Sequence, residues 1–380
     1  MTERVALASA ADYRPRTVED AIDAVLEPLG GLERFVSAGQ TVLLKPNMLA
    51  GKPPEQAVTT HPQIVREMIL RVQRLGATAL VGDSPGIGSP RQVARKCGLL
   101  EVIEETGATF APFATSVRVG AEGGTFHNLE LARDVLEADV VINLPKLKTH
   151  QMMGLTCAVK NLFGAVVGMR KPRLHLQAGS DKKFFALMLL ELAAYIGPQL
   201  TLVDAVTAME GDGPGSGDPV HVGALLASTS PVALDTVALE LLGLDADTIW
   251  TQKVAVEKKF SGSLPDQIEI LGETPQSLRP ERFRPSKTTD VNFGLPPAIL
   301  RPFKKAITAF PDPDMMLCEK CGLCVKHCPP QSMKIEDGTL QIDYQRCIRC
   351  FCCQELCPKG AILTRQGLLL RLHQFLHGGS

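Results

Sequence analysis

"CIRCFCCQELCPKGAI", residues 347–362, puts five cysteines into the eleven residues from Cys347 to Cys357. Four of them follow the spacing C-x2-C-x2-C-x3-C, closed by Pro358. Upstream, "CEKCGLCVKHCPP" (318–330) repeats it with Cys318, Cys321, Cys324, Cys328 and Pro329. Such gaps let three thiolates of one loop converge on one soft-metal cube, and Gly322 lets the backbone turn. Two runs predict two 4Fe–4S clusters in a small α+β dicluster module. In runs of this type the fourth cysteine ligates the other cluster. The expected ligand sets are Cys318, Cys321, Cys324 with Cys357, and Cys347, Cys350, Cys353 with Cys328. The exchange also staples together two halves too small to hold a core.

Two rival readings fail. Disulfides would suit a secreted chain, but no signal peptide opens the sequence, and nine of its eleven cysteines crowd into 318–357. Structural zinc favours paired C-x2-C knuckles, not triple runs closed by Cys-Pro. Cys352, between two ligands, reads as a packed or solvent-facing thiol. Isolated Cys97 and Cys157 read as small buried hydrophobes.

Working outward, 380 residues accommodate one large domain and a module. Forty basic and 41 acidic residues leave a net charge of −1, which argues against a nucleic-acid partner. The longest apolar candidate, "FFALMLLELAAYIG" (184–197), is short for a membrane span and contains Glu191, so a buried helix is expected. The expectation is a cytoplasmic protein without a membrane span; a homo-oligomer stays open.

Residues 1–271 alternate β-branched runs with amphipathic stretches, which predicts an α/β fold: a layered, largely parallel sheet with helices. Strands are expected at 4–10, 41–45, 77–83, 138–144, 199–205 and 222–228. A helix is expected over 62–75, with Thr59 or Thr60 as its N-cap, and another over 231–243. Residues 272–313 form a proline-rich linker laid along the surface, and the stretch of little periodicity runs on to 316. The dicluster module follows at 314–364, and a tail, 365–380, reads as an amphipathic helix.

In open α/β sheets ligands bind beyond the carboxyl ends of the strands. Strand 41–45 runs into Lys45-Pro46-Asn47, and strand 77–83 into "GDSPGIG" with Asp83 and Ser84. Strand 138–144 runs into "NLPKLKTH", with Lys146, Lys148 and His150. "KNLFG" adds Lys160 and Asn161. "MEGDGPGSGD" packs Glu210, Asp212, Asp218 and four glycines, Gly211 and Gly213 among them, into ten residues. An isolated lysine at a strand end is often merely solvated, and Asp235 inside its helix reads as a partly solvated salt-bridge partner. Three lysines and a histidine after one buried strand instead make an electropositive mouth suited to carboxylate or phosphate. No nucleotide signature appears, so NAD, FAD and ATP have no support. FMN stays open, because its binding need leave no such motif.

"KPN", "TTHP", "GDSPG", "NLPKLKTH", "KNLFG", "VDAVTAMEGDGPGSG" and "SPVALD", in this order over residues 4–245, resemble the domain-of-unknown-function family 362 (DUF362). Its members often carry a C-terminal ferredoxin module. The resemblance implies a redox-active iron–sulfur protein in which the motif positions Lys45, Asn47, Asp83, Lys146, Lys148, His150, Lys160, Asn161, Glu210 and Asp235 matter. The leading functional expectation is a reductase. A soluble donor, ferredoxin or flavoprotein, feeds electrons through the clusters to a small anionic or conjugated substrate. Catalysis would fall to Lys146, Lys148, His150 and Asp83. Binding would fall to Lys45, Asn47, Lys160, Asn161, Glu210, Gly211 and Gly213. Two alternatives are an electron-transfer protein docking a partner enzyme, and a non-redox isomerase or lyase with structural clusters.

Overall fold

The computed structural model describes residues 2–86, 88–120, 124–126, 129–168, 170–287, 306 and 308–371. The strands are β1 (Glu3–Ser9), β2 (Thr41–Pro46), β3 (Thr78–Val81), β4 (Thr109–Phe110), β5 (Ser116–Val119) and β6 (Leu129–Ala132). They continue with β7 (Val140–Leu144), β8 (Lys146–His150), β9 (Gly154–Thr156), β10 (Leu200–Glu210), β11 (Asp218–Ser228) and β12 (Ile268–Gly272). The C-terminal module adds β13 (Ala309–Pro313), β14 (Met333–Glu336), β15 (Thr339–Ile342) and β16 (Ile362–Gln366).

Ten strands form one sheet in the order β12-β1-β11-β10-β7-β2-β3-β4, with β8 and β9 attached beside β10. From β10 to β4 the pairs are parallel. β11 runs antiparallel to both β10 and β1. The parallel strands are buried on both faces, and "VVINL" of β7 and "VLLK" of β2 accordingly carry no apolar–polar alternation. One face is covered by helices Pro15–Leu26, Pro62–Arg74 and Leu99–Thr106. The other is covered by Lys182–Ile196 and Trp250–Glu257. Lys182–Ile196 is a core helix, with Phe185, Leu189 and Leu190 fully buried, as its length and Glu191 predicted. No described helix is long and apolar enough to cross a membrane.

One chain feature places the site. Pro145 interrupts a single extended run, splitting it into β7 and β8, and β10 accompanies both halves. Its register shifts between Asp204↔Lys146 and Met209↔Lys148, so the two lysines meet different surroundings.

The N-cap and the bounds of the C-terminal module differ from the sequence reading. The N-cap of Pro62–Arg74 is His61, whose Nδ1 accepts from the Gln63 N–H at 3.1 Å. Thr60 instead ties strand ends together, accepting from the Asn47 N–H at 2.8 Å and donating to the Leu144 carbonyl at 2.6 Å. The glycine-rich segment 211–217 is the turn of the β10–β11 hairpin, pairing Glu210 with Asp218. In the C-terminal module, β13 pairs with β16, so secondary structure begins before residue 314 and ends after 364. Of the linker, 288–305 and 307 lie outside the described residues, as do 372–380 of the expected terminal helix. Residues 284–287 follow the large domain, through Arg284 to Glu210 and Asp218 and Lys287 to Asp212.

Candidate functional site

Beyond the ends of β2, β3 and β8 lies a cavity walled by both parts of the chain. The large domain contributes Asn47, Asp83, Lys148, His150, Lys160, Asn161 and Lys171. The C-terminal module contributes His327, Cys352, Glu355 and Leu356. Expectations from distant motifs therefore converge in space: "KPN", "GDSPG", "NLPKLKTH" and "KNLFG" each supply a wall residue.

Counter-charge sorts the buried lysines. Lys45 Nζ lies 2.8 Å from Asp83 Oδ1 and donates to the Asn161 carbonyl at 2.6 Å. This pair is packed against Gly164, where a Cβ would fall on Asp83 Oδ1 and 2.6 Å from Lys45 Nζ. Lys146 Nζ lies 2.9 Å from Asp204 Oδ2 and 2.7 Å from the Tyr13 hydroxyl. Tyr13 donates to Asp204 at 2.8 Å and stacks on His61 with ring centres 3.6 Å apart. Lys148 has no carboxylate partner among the described residues. Its Nζ donates to Asn47 Oδ1 at 3.0 Å and to the Val58 carbonyl at 2.6 Å. Burial lowers its pKa to about 7, helped by Lys160 and opposed by Glu355. Lys171 donates to the Ser84 and Pro85 carbonyls, and burial lowers it to about 8. Lys160 has its ammonium 5.7 Å from the centre of the Phe163 ring.

The asparagines hold Lys148 in place. Asn47 Nδ2 donates to Asn161 Oδ1 at 2.9 Å, and Asn161 Nδ2 to Asn143 Oδ1 at 2.8 Å. Asn143 Nδ2 donates to the Ala158 carbonyl at 3.0 Å. Each amide fixes the orientation of the next, leaving Asn47 Oδ1 as an acceptor for Lys148. The turn that carries Lys160 and Asn161 is itself held by Asp235, which accepts from the Ala158 N–H at 2.7 Å and the Val159 N–H at 3.3 Å. Asp235 is buried rather than partly solvated, and burial pushes its carboxyl up to about 7.

His150 joins the two parts. Its Nδ1 accepts from the N–H groups of Met152 and Met153 at 3.1 and 3.3 Å, which places the ring proton on Nε2. Nε2 lies 2.9 Å from Glu355 Oε1. Burial lowers His150 to about 4. Burial alone would push Glu355 up, but His150 and Lys160 hold it at about 2. The result is a neutral imidazole set against a carboxylate, with Nδ1 engaged by two backbone N–H groups and Nε2 in close contact with Glu355. His150 is thus a link between domain and module, and the cavity-lining groups poised near neutrality are Lys148 and Lys171.

Within the module Cys318, Cys321, Cys324 and Cys357 surround one opening. Cys347 and Cys350 are buried neighbours, with Cys328 close enough to bear on Cys347. The two loops match. Lys320 and Arg349 have φ of 55° and 59°, and Gly322 and Phe351 have 75° and 57°. The Ser332 N–H donates to Cys328 Sγ at 3.3 Å and the Ala361 N–H to Cys357 Sγ at 3.2 Å, four residues after each closing cysteine. No three His, Cys, Asp or Glu side chains among the described residues converge tightly enough for a single ion. Amides aimed at sulfur suit the charge of iron-bound thiolates.

Several predicted residues lie away from the cavity. Lys146 is spent on Asp204, because the β10 register sets that carboxylate opposite it. Lys45 lies beneath the wall, held by Asp83. Glu210 is paired with Arg284, and Gly211 faces the same arginine. Gly213 packs against the Thr149 carbonyl, and its neighbour Pro214 reaches the cavity instead. Sequence reasoning missed Lys171, His175, Cys352 and Glu355. His175 is buried against Phe185 and Phe163 with its Nδ1 unpartnered among the described residues. No strand end announces Lys171 or His175; Glu355 and Cys352 were visible only as neighbours of ligands.

Two family models match the chain in separate stretches. A model described as "Domain of unknown function (DUF362)" matches residues 42–240, and one described as "4Fe-4S dicluster domain" matches 317–361. The thylakoid-associated protein sll1697 of Synechocystis sp. is 37% identical over 305 residues, covering 80% of this chain and 94% of that protein. Among solved structures, the lactate racemase apoprotein of Thermoanaerobacterium thermosaccharolyticum superposes with a TM-score of 0.40 at 13% identity, covering 62% of this chain and 55% of that one. The chain belongs to the DUF362 family and carries a C-terminal 4Fe–4S dicluster domain.

Proposed function

We propose that the protein is a reductase that passes electrons through two 4Fe–4S clusters to a small anionic or conjugated substrate in the cavity. The ligand sets are Cys318, Cys321, Cys324 with Cys357, and Cys347, Cys350, Cys353 with Cys328. The observation that carries the reading is that Cys352 and Glu355, from the helix that also bears Cys353, line the same cavity as Lys148, Lys160 and Lys171. When bound, the clusters supply electrons one at a time at low potential. Lys148, Lys160 and Lys171 bind the anion and offset charge that builds up as it is reduced. Lys148 or Lys171 holds the proton that the reduced product takes up, its pKa being near ambient pH. Two electrons and two protons complete one reduction, and a soluble ferredoxin or flavoprotein donor is oxidised in exchange.

The test is anaerobic. Holoprotein is reduced, freed of reductant and mixed with a panel of small unsaturated carboxylates, and reoxidation is followed by the visible absorbance of the clusters. At least one class should reoxidise the protein faster than buffer does. If none does, and Lys148→Met behaves like wild type throughout, the cavity is not a reductase site.

A further inference from the structure

The charges of the cavity wall do not balance. Asp83 is matched by Lys45 at 2.8 Å. Glu355 is then the one carboxylate of the wall set against Lys148, Lys160 and Lys171. Burial lowers His150 to about 4 and His175 to about 3, so neither ring adds charge near neutral pH. The expected cluster ligands are not part of the wall, where Cys352 is the one cysteine among the described residues. Two ammoniums are left over. Lys148 is anchored on β8 by Asn47 Oδ1 at 3.0 Å and the Val58 carbonyl at 2.6 Å. Lys171 is anchored on helix Arg170–Ala178 by the carbonyls of Ser84 and Pro85, beyond β3. An ammonium has three N–H donors, so each of these spends two on neutral oxygens and keeps one for a ligand. Lys160 bears on both, whereas neither is among the main charges felt by the other. They are separate points of attachment. Leu49, Phe163 and Leu356 supply apolar wall.

We infer that the cavity takes a small dicarboxylate, one carboxylate meeting Lys148 and the other Lys171, with its carbon chain against the apolar wall. Two anionic ends match both the surplus of positive charge and its division between β8 and the helix. A single-centred oxyanion such as phosphate would satisfy one ammonium and leave the other without a counter-charge. Lys160 needs no third anionic group, because Glu355 is the main charge supporting it. The inference names the substrate class of the proposed reductase, and it rests on that reading only for what happens to the ligand once bound.

The experiment is calorimetry on anaerobic holoprotein near neutral pH. Its probes are fumarate, inorganic phosphate and crotonate, which keeps the unsaturated four-carbon body of fumarate but has one carboxylate. Fumarate should bind about tenfold or more tighter than crotonate, and tighter than phosphate. Lys148→Met and Lys171→Met should each weaken fumarate by about tenfold or more and narrow its lead over crotonate, with iron content and cluster absorbance unchanged. Fumarate binding no tighter than crotonate, or not at all, overturns the inference. So does phosphate binding as tightly as fumarate, which would mark a single-centred anion site. A loss confined to one of the two variants also overturns it. The wild-type comparison decides even where a variant fails to fold. If fumarate shows this preference while no unsaturated carboxylate reoxidises the reduced protein, the reductase reading falls and the dicarboxylate site stands. If monocarboxylates reoxidise it while fumarate has no lead over crotonate, the reductase reading stands and this inference falls.

Discussion

Lys148→Met is the most informative single change. Of the three fully buried lysines on β2 and β8, two face a carboxylate, at 2.8 Å for Lys45 and 2.9 Å for Lys146. Lys148 faces two neutral oxygens, and around it stand Lys160, Lys146, Glu355 and Asp83. Its charge is held down by burial, so an anion entering the cavity relieves it. A charge-assisted contact of this kind is worth ~3 kcal/mol, roughly a 150-fold change in Kd. Calorimetry on the holoprotein, with phosphate and fumarate as probes, should show that loss while iron content and cluster absorbance stay unchanged.

The pH profile sharpens the same prediction. The folded pKa, about 7, lies below the ordinary 10.5, so the charged form is the disfavoured one. An anion binds that charged form. Affinity should be flat below about pH 6 and weaken by up to tenfold per unit above 7. Lys171, at about 8, steepens the fall at the alkaline end. Lys148→Met should remove the break near 7 and leave the later one. A variant that binds within threefold of wild type, or a wild-type profile flat from pH 6 to 9, refutes the assignment.

Lys146→Met tests the opposite role. It leaves Asp204 buried with an uncompensated charge, so stability should drop by ~3–5 kcal/mol and the thermal midpoint with it, while Kd for fumarate stays near wild type. A lost Kd with an unchanged midpoint would return Lys146 to the site. For the clusters, anaerobic protein should carry about eight irons; Cys328→Ser and Cys357→Ser should each bring this toward about four, and Cys352→Ala should leave it unchanged. Iron loss in Cys352→Ala would mean that the ligands are assigned wrongly.

Much of this architecture is legible in the sequence because local rules set it. Buried parallel strands announce themselves as unbroken apolar runs, and the cysteine spacing announces the module. The strand-end rule gathers Asn47, Asp83, Lys148, His150, Lys160 and Asn161 at one cavity. What it cannot do is separate Lys146 from Lys148. They sit two apart on one strand and look equivalent, yet a register shift in β10 gives one of them Asp204 and gives the other only Asn47 and Val58. Nor could it find Glu355, whose importance comes from the docking of the module against His150. Asp235 misled for a related reason: its partners are backbone N–H groups 76 and 77 residues away, which no side-chain pattern predicts.

The same geometry bears on the choice between a substrate cleft and a partner-docking protein. A pure carrier needs one accessible face for exchange and gains nothing from an enclosed cavity. Lys148 is then hard to explain, since burying a cation without a counter-ion costs stability that no structural role returns. An isomerase or lyase cavity explains Lys148 but not why the module presses Cys352 and Glu355 into its wall. The two features become one when the module is a conductor with two ends. Cys321 of the first run is exposed, while Cys352 and Glu355, beside ligands of the second, border the cavity that holds Lys148. His150–Glu355 would then be the clasp that keeps the inner end in place. Weakening that clasp should uncouple the two ends without emptying either.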